Sequence, residues 1–315
     1  MEKRRDMKSY ICAKPRRIAE IEIFNGCNAK CVVCPRGLGL MSNPCTTMDF
    51  ELYKKIVDKC ADLKVEGVSL FSWGDPLLNK DLPKYCEYAH NKMEVYLSSN
   101  LNMNADFEKF LPHINSMSIS VSGFKQETYE INHRGLNIEK VKKNLRIIES
   151  VLAKMEKADR PYIELKWFDY DYNKGELDMW REFLDLSLIN IYIIKGNYNP
   201  IENREKIAKG HTFTNDDEFM GRVWMSGYRD MNKIDLRYCN YIHKFAIDVQ
   251  GRLLLCCEPM YDERMVIGDF LKDDIYEMQL KKLHHKQCLC CEVWNEQVNL
   301  LRKHEIEAIK NKTFL

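Results

Sequence analysis

Apolar and polar residues alternate one by one along several short runs, and between those runs the apolar spacing widens to that of a helix. Residues 18–24 (IAEIEIF) alternate strictly and predict a strand. Residues 49–63 place Phe50, Tyr53, Ile56, Val57 and Cys60 on one helical face. The two periods then trade places: strand 65–71, helix 80–92, strand 94–98, helix 105–111, strand 116–121, helix 138–156, strand 162–168, helix 176–186 and strand 189–195. Six β/α alternations imply a parallel sheet with right-handed crossovers. The expected fold is α/β, a partial (β/α)6 TIM-like barrel, with ligands at the carboxyl ends of the strands.

After Lys195 the pattern weakens. Residues 196–235 are polar and read as a linker or lid. Residues 244–249 and 252–255 flank a Gln250-Gly251 turn and predict a hairpin. Residues 275–285 look helical, and 296–312 form a charged terminal helix. The expected organisation is a barrel over 1–200, a linker or lid over 201–235, a small domain of β-hairpin plus helix over 236–297, and a C-terminal helix over 298–315.

Composition narrows the class. In 315 residues, 45% are hydrophobic and 30% charged, which suits one large or two modest globular domains. Lys+Arg number 48 against 47 Asp+Glu, and a net charge of +1 argues against a protein that coats nucleic acid. No apolar run is long enough to span a membrane, and the basic N-terminus lacks the apolar core of a secretory signal. A cytoplasmic location is expected, with no nucleic-acid or membrane partner. Thiols stay reduced there, so 13 cysteines call for an explanation other than disulfides.

Three of them, Cys27, Cys31 and Cys34, follow the first strand in a C-x3-C-x2-C run. They occupy a loop at a strand's carboxyl end and can reach three irons of one cubane cluster. An ordinary [4Fe–4S] cluster takes four cysteines. Three leave one iron open, as an open position serves catalytic zinc. A zinc site is the alternative, although zinc usually takes four ligands in paired C-x2-C spacing. Cys60 and Cys86 fall in helical stretches and read as small core residues, while Cys12 and Cys45 lie outside the spacing patterns.

This run resembles the cluster motif of the radical S-adenosylmethionine (SAM) superfamily. The resemblance implies a [4Fe–4S] cluster whose open iron binds SAM, and an electron that cleaves SAM to a 5′-deoxyadenosyl radical. It extends to later strand ends. Ser72-Trp73-Gly74-Asp75-Pro76 looks like the family's GGEP stretch, so Gly74 and Asp75 are implied at the SAM amino group, mainly through backbone. Trp73 and Asp75 depart from that pattern. Ser98-Ser99-Asn100 corresponds in position to the TNG stretch, and Ser120-Val121-Ser122-Gly123 to the SxDG-type motif, which implies Ser98, Asn100 and Ser120 near the ribose. Arg134 either grips the SAM carboxylate or ends a surface turn. Trp167, Asp169 and Tyr170 end the fifth strand and are expected to face the pocket, with buried packing the alternative for Trp167.

A second group, Cys239, Cys256, Cys257, Cys288, Cys290 and Cys291, brackets the hairpin and the following helix. It resembles the SPASM/Twitch domain, which implies an auxiliary [4Fe–4S] cluster on Cys239, Cys256, Cys288 and Cys291. A structural zinc ribbon is the alternative, since four thiolates suit either metal. Cys257 is then a free thiol, either packing or serving as a hydrogen donor to a substrate radical. The function implied is hydrogen abstraction from a small polar substrate (a sugar, cyclitol or nucleoside-like molecule) that ends in oxidation or epimerisation. A flavodoxin- or ferredoxin-type protein would donate the electron. One alternative is a peptide-modifying enzyme of the same superfamily, disfavoured because only 26 residues precede Cys27 and a leader-binding domain needs more. The other is a non-catalytic metal-binding protein.

Overall fold

The computed structural model describes residues 18–31, 34, 36–37, 41, 44–195, 244–255 and 265–284. Six strands run in parallel in chain order: β1 (Ile18–Ile21), β2 (Gly67–Ser69), β3 (Glu94–Ser99), β4 (Ser116–Val121), β5 (Tyr162–Asp169) and β6 (Ile189–Lys195). The crossovers carry helices α1 (Phe50–Asp62), α2 (Leu82–His90), α3 (Phe107–Phe110), α4 (Gln126–Asn132), α5 (Ile138–Lys154) and α6 (Glu176–Phe183). Helix α1 starts where Asp49 Oδ1 accepts from Leu52 N at 3.0 Å, and it buries Tyr53, Ile56, Val57 and Cys60, the face expected from their spacing. Asn137 caps α5 in the same way, accepting from Glu139 N at 2.8 Å. Helix α4 is short and polar, and its spacing carries no periodic signal; it was not expected. Among the described residues no helix is long and apolar enough to cross a membrane.

Cross-strand register sorts the sheet into two unlike faces. Ala19, Val68 and Val95 lie side by side, as do Met117 with Ile163 and Ile119 with Leu165. These residues are fully buried in one core with Tyr53, Ile56, Leu145, Ile148 and Trp180 from the helices. The opposite face carries Glu20 beside Ser69, Tyr96 beside Ser116, Ser98 beside Ser118, Ser118 beside Glu164, and Ser120 beside Lys166. A parallel sheet covered by helices on both faces would read as continuous apolar runs. Among the described residues helices cover only one face, and strict alternation in a parallel strand is the mark of a barrel wall with a polar interior.

The hairpin of the C-terminal part joins this sheet. Strand β7 (Phe245–Ile247) pairs in parallel with β1, and β8 (Arg252–Leu254) and β9 (Val266–Asp269) follow antiparallel. The order is therefore β6-β5-β4-β3-β2-β1-β7-β8-β9. Gln250-Gly251 makes the expected turn: Gly251 has φ +80°, and Asp248 accepts from Gln250 N and Arg252 N. Helix α7 (Ile275–His284) follows β9. Lys59 of α1 donates to the carbonyls of Phe270 and Leu271 at 2.5 and 3.4 Å, with its ammonium 5.2 Å from the Phe270 ring. The expected linker or lid, the terminal helix and every cysteine of the second group lie outside the described residues.

Candidate functional site

The three cysteines occupy the loop that leaves the carboxyl end of β1. That loop is bracketed by the returning segment 44–48: Asn25 donates from Nδ2 to Pro44 O at 3.0 Å and accepts at Oδ1 from Thr46 N at 2.6 Å. Met48 N donates to Ile23 O at 2.9 Å. Within the loop, Cys34 N donates to Cys31 O at 3.2 Å and Ala29 N points at Cys27 Sγ at 3.4 Å. A Cβ on Gly37 would lie 2.3 Å from Cys31 O, so the chain folds tightly back over Cys31.

Burial, the carboxylate of Asp75 and the neighbouring Cys34 push the Cys27 thiol up to about 12. Burial likewise raises Cys31, with further contributions from Cys34 and Cys27, and it raises Cys34. Raised in this way the three are neutral thiols in the metal-free protein, and a metal centre that binds them would take them as thiolates with release of their protons. Among the described residues, no three His, Cys, Asp or Glu side chains converge on a single metal ion. A cubane fits better than zinc, because each of its thiolates binds a different iron. Cys60 and Cys86 are buried in the core as expected, while Cys45 is exposed with its Sγ 3.1 Å from where a Cβ on Gly26 would lie, beside the loop but outside the C-x3-C-x2-C run.

The strap after β2 is held against this loop. Glu22 Oε1 accepts from Trp73 N at 3.0 Å and Gly74 N at 3.2 Å, and Asp75 N donates to Gly26 O at 2.8 Å. A Cβ on Gly74 would lie 2.0 Å from Phe24 O, so only glycine passes there. The Asp75 carboxylate is buried and accepts from Leu77 N at 3.0 Å, Ser99 Oγ at 2.9 Å and Asn100 N at 2.9 Å. It is thus a strut between the strap and the end of β3. Asn100 extends the link: its Nδ2 donates to Asn28 Oδ1 at 2.9 Å and points at Cys27 Sγ at 3.8 Å. Leu101 follows with φ +55°, a left-handed turn held by Asn144 Nδ2, which donates to the carbonyls of Leu101 and Met103 at 2.9 and 2.7 Å.

Arg134 reaches the same loop from the turn after α4, its carbonyl accepting from Lys30 N at 2.9 Å. Gly74, Asp75, Asn100 and Arg134 are therefore gathered around the cysteine loop. Ser98 and Ser120 lie half-buried on the polar inner face of β3 and β4. Trp167 is a correction to the expected pocket: it shares its face with Ile163 and Leu165 and is fully buried in the core. Tyr170 is also buried, stacked between Phe168 and Tyr172 at 6.1 and 5.3 Å.

Several residues at the site carried no signal in the sequence. Tyr129 is fully buried, stacks on His133 at 4.7 Å, and lies in the field of Cys31 and Asp75. Burial pushes His133 down to about 3, so it is neutral, with Nδ1 at 2.6 Å from Ser122 Oγ. Glu22, whose only hint was a carboxylate in an apolar alternation, is pushed up to about 7 by burial.

The Glu22 shift sets a pH dependence. A carboxyl raised from the ordinary value of 4.5 to about 7 binds its proton more tightly folded than unfolded. Its contribution is complete below about pH 4.5 and is lost as pH rises to about 7, a span worth roughly 3 kcal/mol. His133 acts in the opposite sense, adding stability as pH rises from about 3 to 6.5. Urea unfolding of the metal-free protein between pH 5 and 8 is expected to show a smaller fall in stability for Glu22→Gln than for the parent. Equal slopes for the two would contradict the assignment.

Residues 21–153 match the family model of the radical SAM superfamily. No curated protein matches the chain. Among solved structures the chain is similar to SuiB of Streptococcus suis bound to S-adenosylmethionine, at 13% identity over 91% of this chain and 73% of that one, with a TM-score of 0.59. It is similar to anSMEcpe with bound AdoMet, at 14% identity over 94% and 98%, with a TM-score of 0.55. BtrN in complex with AdoMet and 2-DOIA aligns at 17% identity over 95% and 90%, with a TM-score of 0.47. SuiB and anSMEcpe show a common α/β fold with a parallel sheet. Residues 21–153 are a radical SAM superfamily domain, and that family implies a [4Fe–4S] cluster and SAM.

Proposed function

We propose that this chain is a radical SAM enzyme acting on a small polar molecule, a sugar, cyclitol or nucleoside, with oxidation or epimerisation as the outcome. The observation that carries the reading is the cysteine loop itself. Cys27, Cys31 and Cys34 follow β1 in one C-x3-C-x2-C loop, which is tied by hydrogen bonds to the strap after β2 and to the end of β3. When bound, the cluster supplies the electron that converts SAM to methionine and a 5′-deoxyadenosyl radical, which takes a hydrogen atom from substrate.

The chain's own residues do the rest. Cys27, Cys31 and Cys34 ligate three irons. The backbone of Gly74 and Asp75, fixed from below by Glu22, holds the SAM amino group. Asn100, Ser98 and Ser120 serve the ribose, and Arg134 the carboxylate. The polar inner face beyond them supports a polar substrate. Cys239, Cys256, Cys288 and Cys291 would hold an auxiliary cluster able to take up the second electron of an oxidation, and Cys257 would either pack or, in an epimerisation, return a hydrogen atom. A peptide substrate is the second reading, favoured by the likeness in fold to SuiB, which has been seen bound to the precursor peptide SuiA.

Anaerobically reconstituted protein with a reduced flavodoxin is expected to form 5′-deoxyadenosine from SAM; failure to do so with a fully loaded cluster overturns the proposal. Iron content separates the two metals at the C-terminal cysteines. About eight irons per chain, four per cubane, are expected for two clusters. About four irons with one zinc would make that region structural. Cys257→Ala distinguishes the outcomes: product that forms at a similar rate marks an oxidation or a merely packing thiol, and disappearance of the inverted product that carries solvent deuterium, with SAM still cleaved, marks an epimerisation.

A further inference from the structure

The inner face of β4–β6 holds one cation that the cofactor chemistry leaves unused. Its rows, read towards the carboxyl ends, are Ser118-Glu164-Asn190, then Ser120-Lys166-Tyr192, then Phe168-Ile194. Lys166 is the one basic residue at these positions. Glu164, two residues away on the same face, accepts a hydrogen bond from Ser118 Oγ. Among the described residues, the Lys166 ammonium makes neither a hydrogen bond nor an ion pair. Burial lowers its pKa, with the Glu164 charge acting against that. An ammonium drawn into a half-enclosed space without a partner is costly unless an anion meets it.

Its surroundings narrow what that anion is. Ser120, its register partner on β4, is the residue assigned above to the SAM ribose, so Lys166 sits beside the place where the adenosyl group would react. Tyr192 on its other side is 54% exposed, which leaves that flank open to an incoming molecule. Towards the strand ends, Phe168, Tyr170 and Ile194 form a buried apolar wall. A cation between hydroxyls, backed by aromatic rings, suits the anionic end of a polyhydroxylated molecule. We infer that Lys166 is a substrate-binding residue that grips a carboxylate or phosphate group, so that the substrate is a small polar anion. This rests on the radical SAM reading for the identity of the pocket, but the charge argument stands on the barrel face alone.

The test uses reconstituted holoenzyme with three probes of matched size: glucose 6-phosphate, glucuronate and glucose. Binding is read by thermal shift titration, and SAM affinity by equilibrium dialysis, for the parent, Lys166→Met, Lys166→Arg and the exposed control Lys55→Met. The parent is expected to bind one of the two anions about tenfold more tightly than glucose, the loss of one charge-assisted contact. Whichever anion is preferred tells carboxylate from phosphate. Lys166→Met should erase the preference, Lys166→Arg keep it, and Lys55→Met leave it unchanged. SAM affinity should change less than twofold in Lys166→Met. No preference in the parent, a preference that survives in Lys166→Met, or a tenfold loss of SAM affinity would each overturn the inference, the last by giving Lys166 to the SAM carboxylate. Failure of the parent to cleave SAM would instead sink the reading of the chemistry, and the anion preference would remain as measured.

Discussion

Replacing Cys27, Cys31 and Cys34 together by alanine is expected to abolish formation of 5′-deoxyadenosine from SAM. Each thiol is the sole protein ligand of one iron in the proposed cluster, so the loss should be total rather than graded. Iron should fall by about four per chain while the auxiliary cluster keeps its own four. The fold should survive. The core is made by residues such as Ile21, Ile56, Leu97 and Trp180, and Cys27 and Cys31 only pack against its edge. Burial raises all three thiols, and neighbouring cysteines add to this at Cys27 and Cys31, so in the metal-free protein they stand as neutral groups that make no ion pair. The metal-free triple variant should therefore unfold at a denaturant concentration no lower than that of the metal-free parent. Circular dichroism separates a folded, cluster-free protein from a collapsed one. Undiminished SAM cleavage in the folded variant would end the radical reading.

Much of this arrangement was legible in the sequence because it depends on local period. Alternation over 18–24 and 116–121 reports strands, and 3.6-residue spacing over 49–63 and 138–156 reports helices that the structure contains. The cysteine spacing needs no tertiary knowledge. What was lost is what depends on facing. Trp167 lies two residues after Leu165 and four after Ile163, so its alternation already put it with the core, but its place at a strand end suggested the pocket. Lys166 and Glu164 carry no signal of their own in the sequence, and only register sets them on the inner face. The hairpin of β7 and β8 was expected in a small separate unit. Its pairing with β1 spans more than 220 residues of chain and leaves no local trace. Asp75 was expected to contribute mainly backbone, and its side chain proved to be the strut between two strand ends.

Gly74→Ala is expected to be the most damaging single substitution at the site outside the cysteines. Its Cβ would stand 2.0 Å from Phe24 O and 2.9 Å from both the Asn25 Cα and Gly26 O, all backbone atoms that cannot swing aside. The strap must then lift off the cysteine loop. Lifting breaks the bonds from Trp73 N and Gly74 N to Glu22 and from Asp75 N to Gly26 O, leaving a buried carboxyl and buried amides unpaired. Overlap with fixed backbone and the lost bonds together should cost about 3 kcal/mol or more. Gly175→Ala supplies the contrast. Gly175 has φ +85°, and no described atom lies within 4 Å of where its Cβ would sit. Its cost is only that of the left-handed backbone, about 1 kcal/mol. Urea unfolding of both variants measures the difference directly. Because Glu22, Gly26 and Asp75 all converge on Gly74, the variant should also lose SAM affinity by tenfold or more even where it remains folded, whereas Gly175→Ala should retain it. Equal stability losses in the two variants, or a Gly74→Ala protein that binds SAM as tightly as the parent, would show that the strap does not press on the cysteine loop in the way the geometry requires.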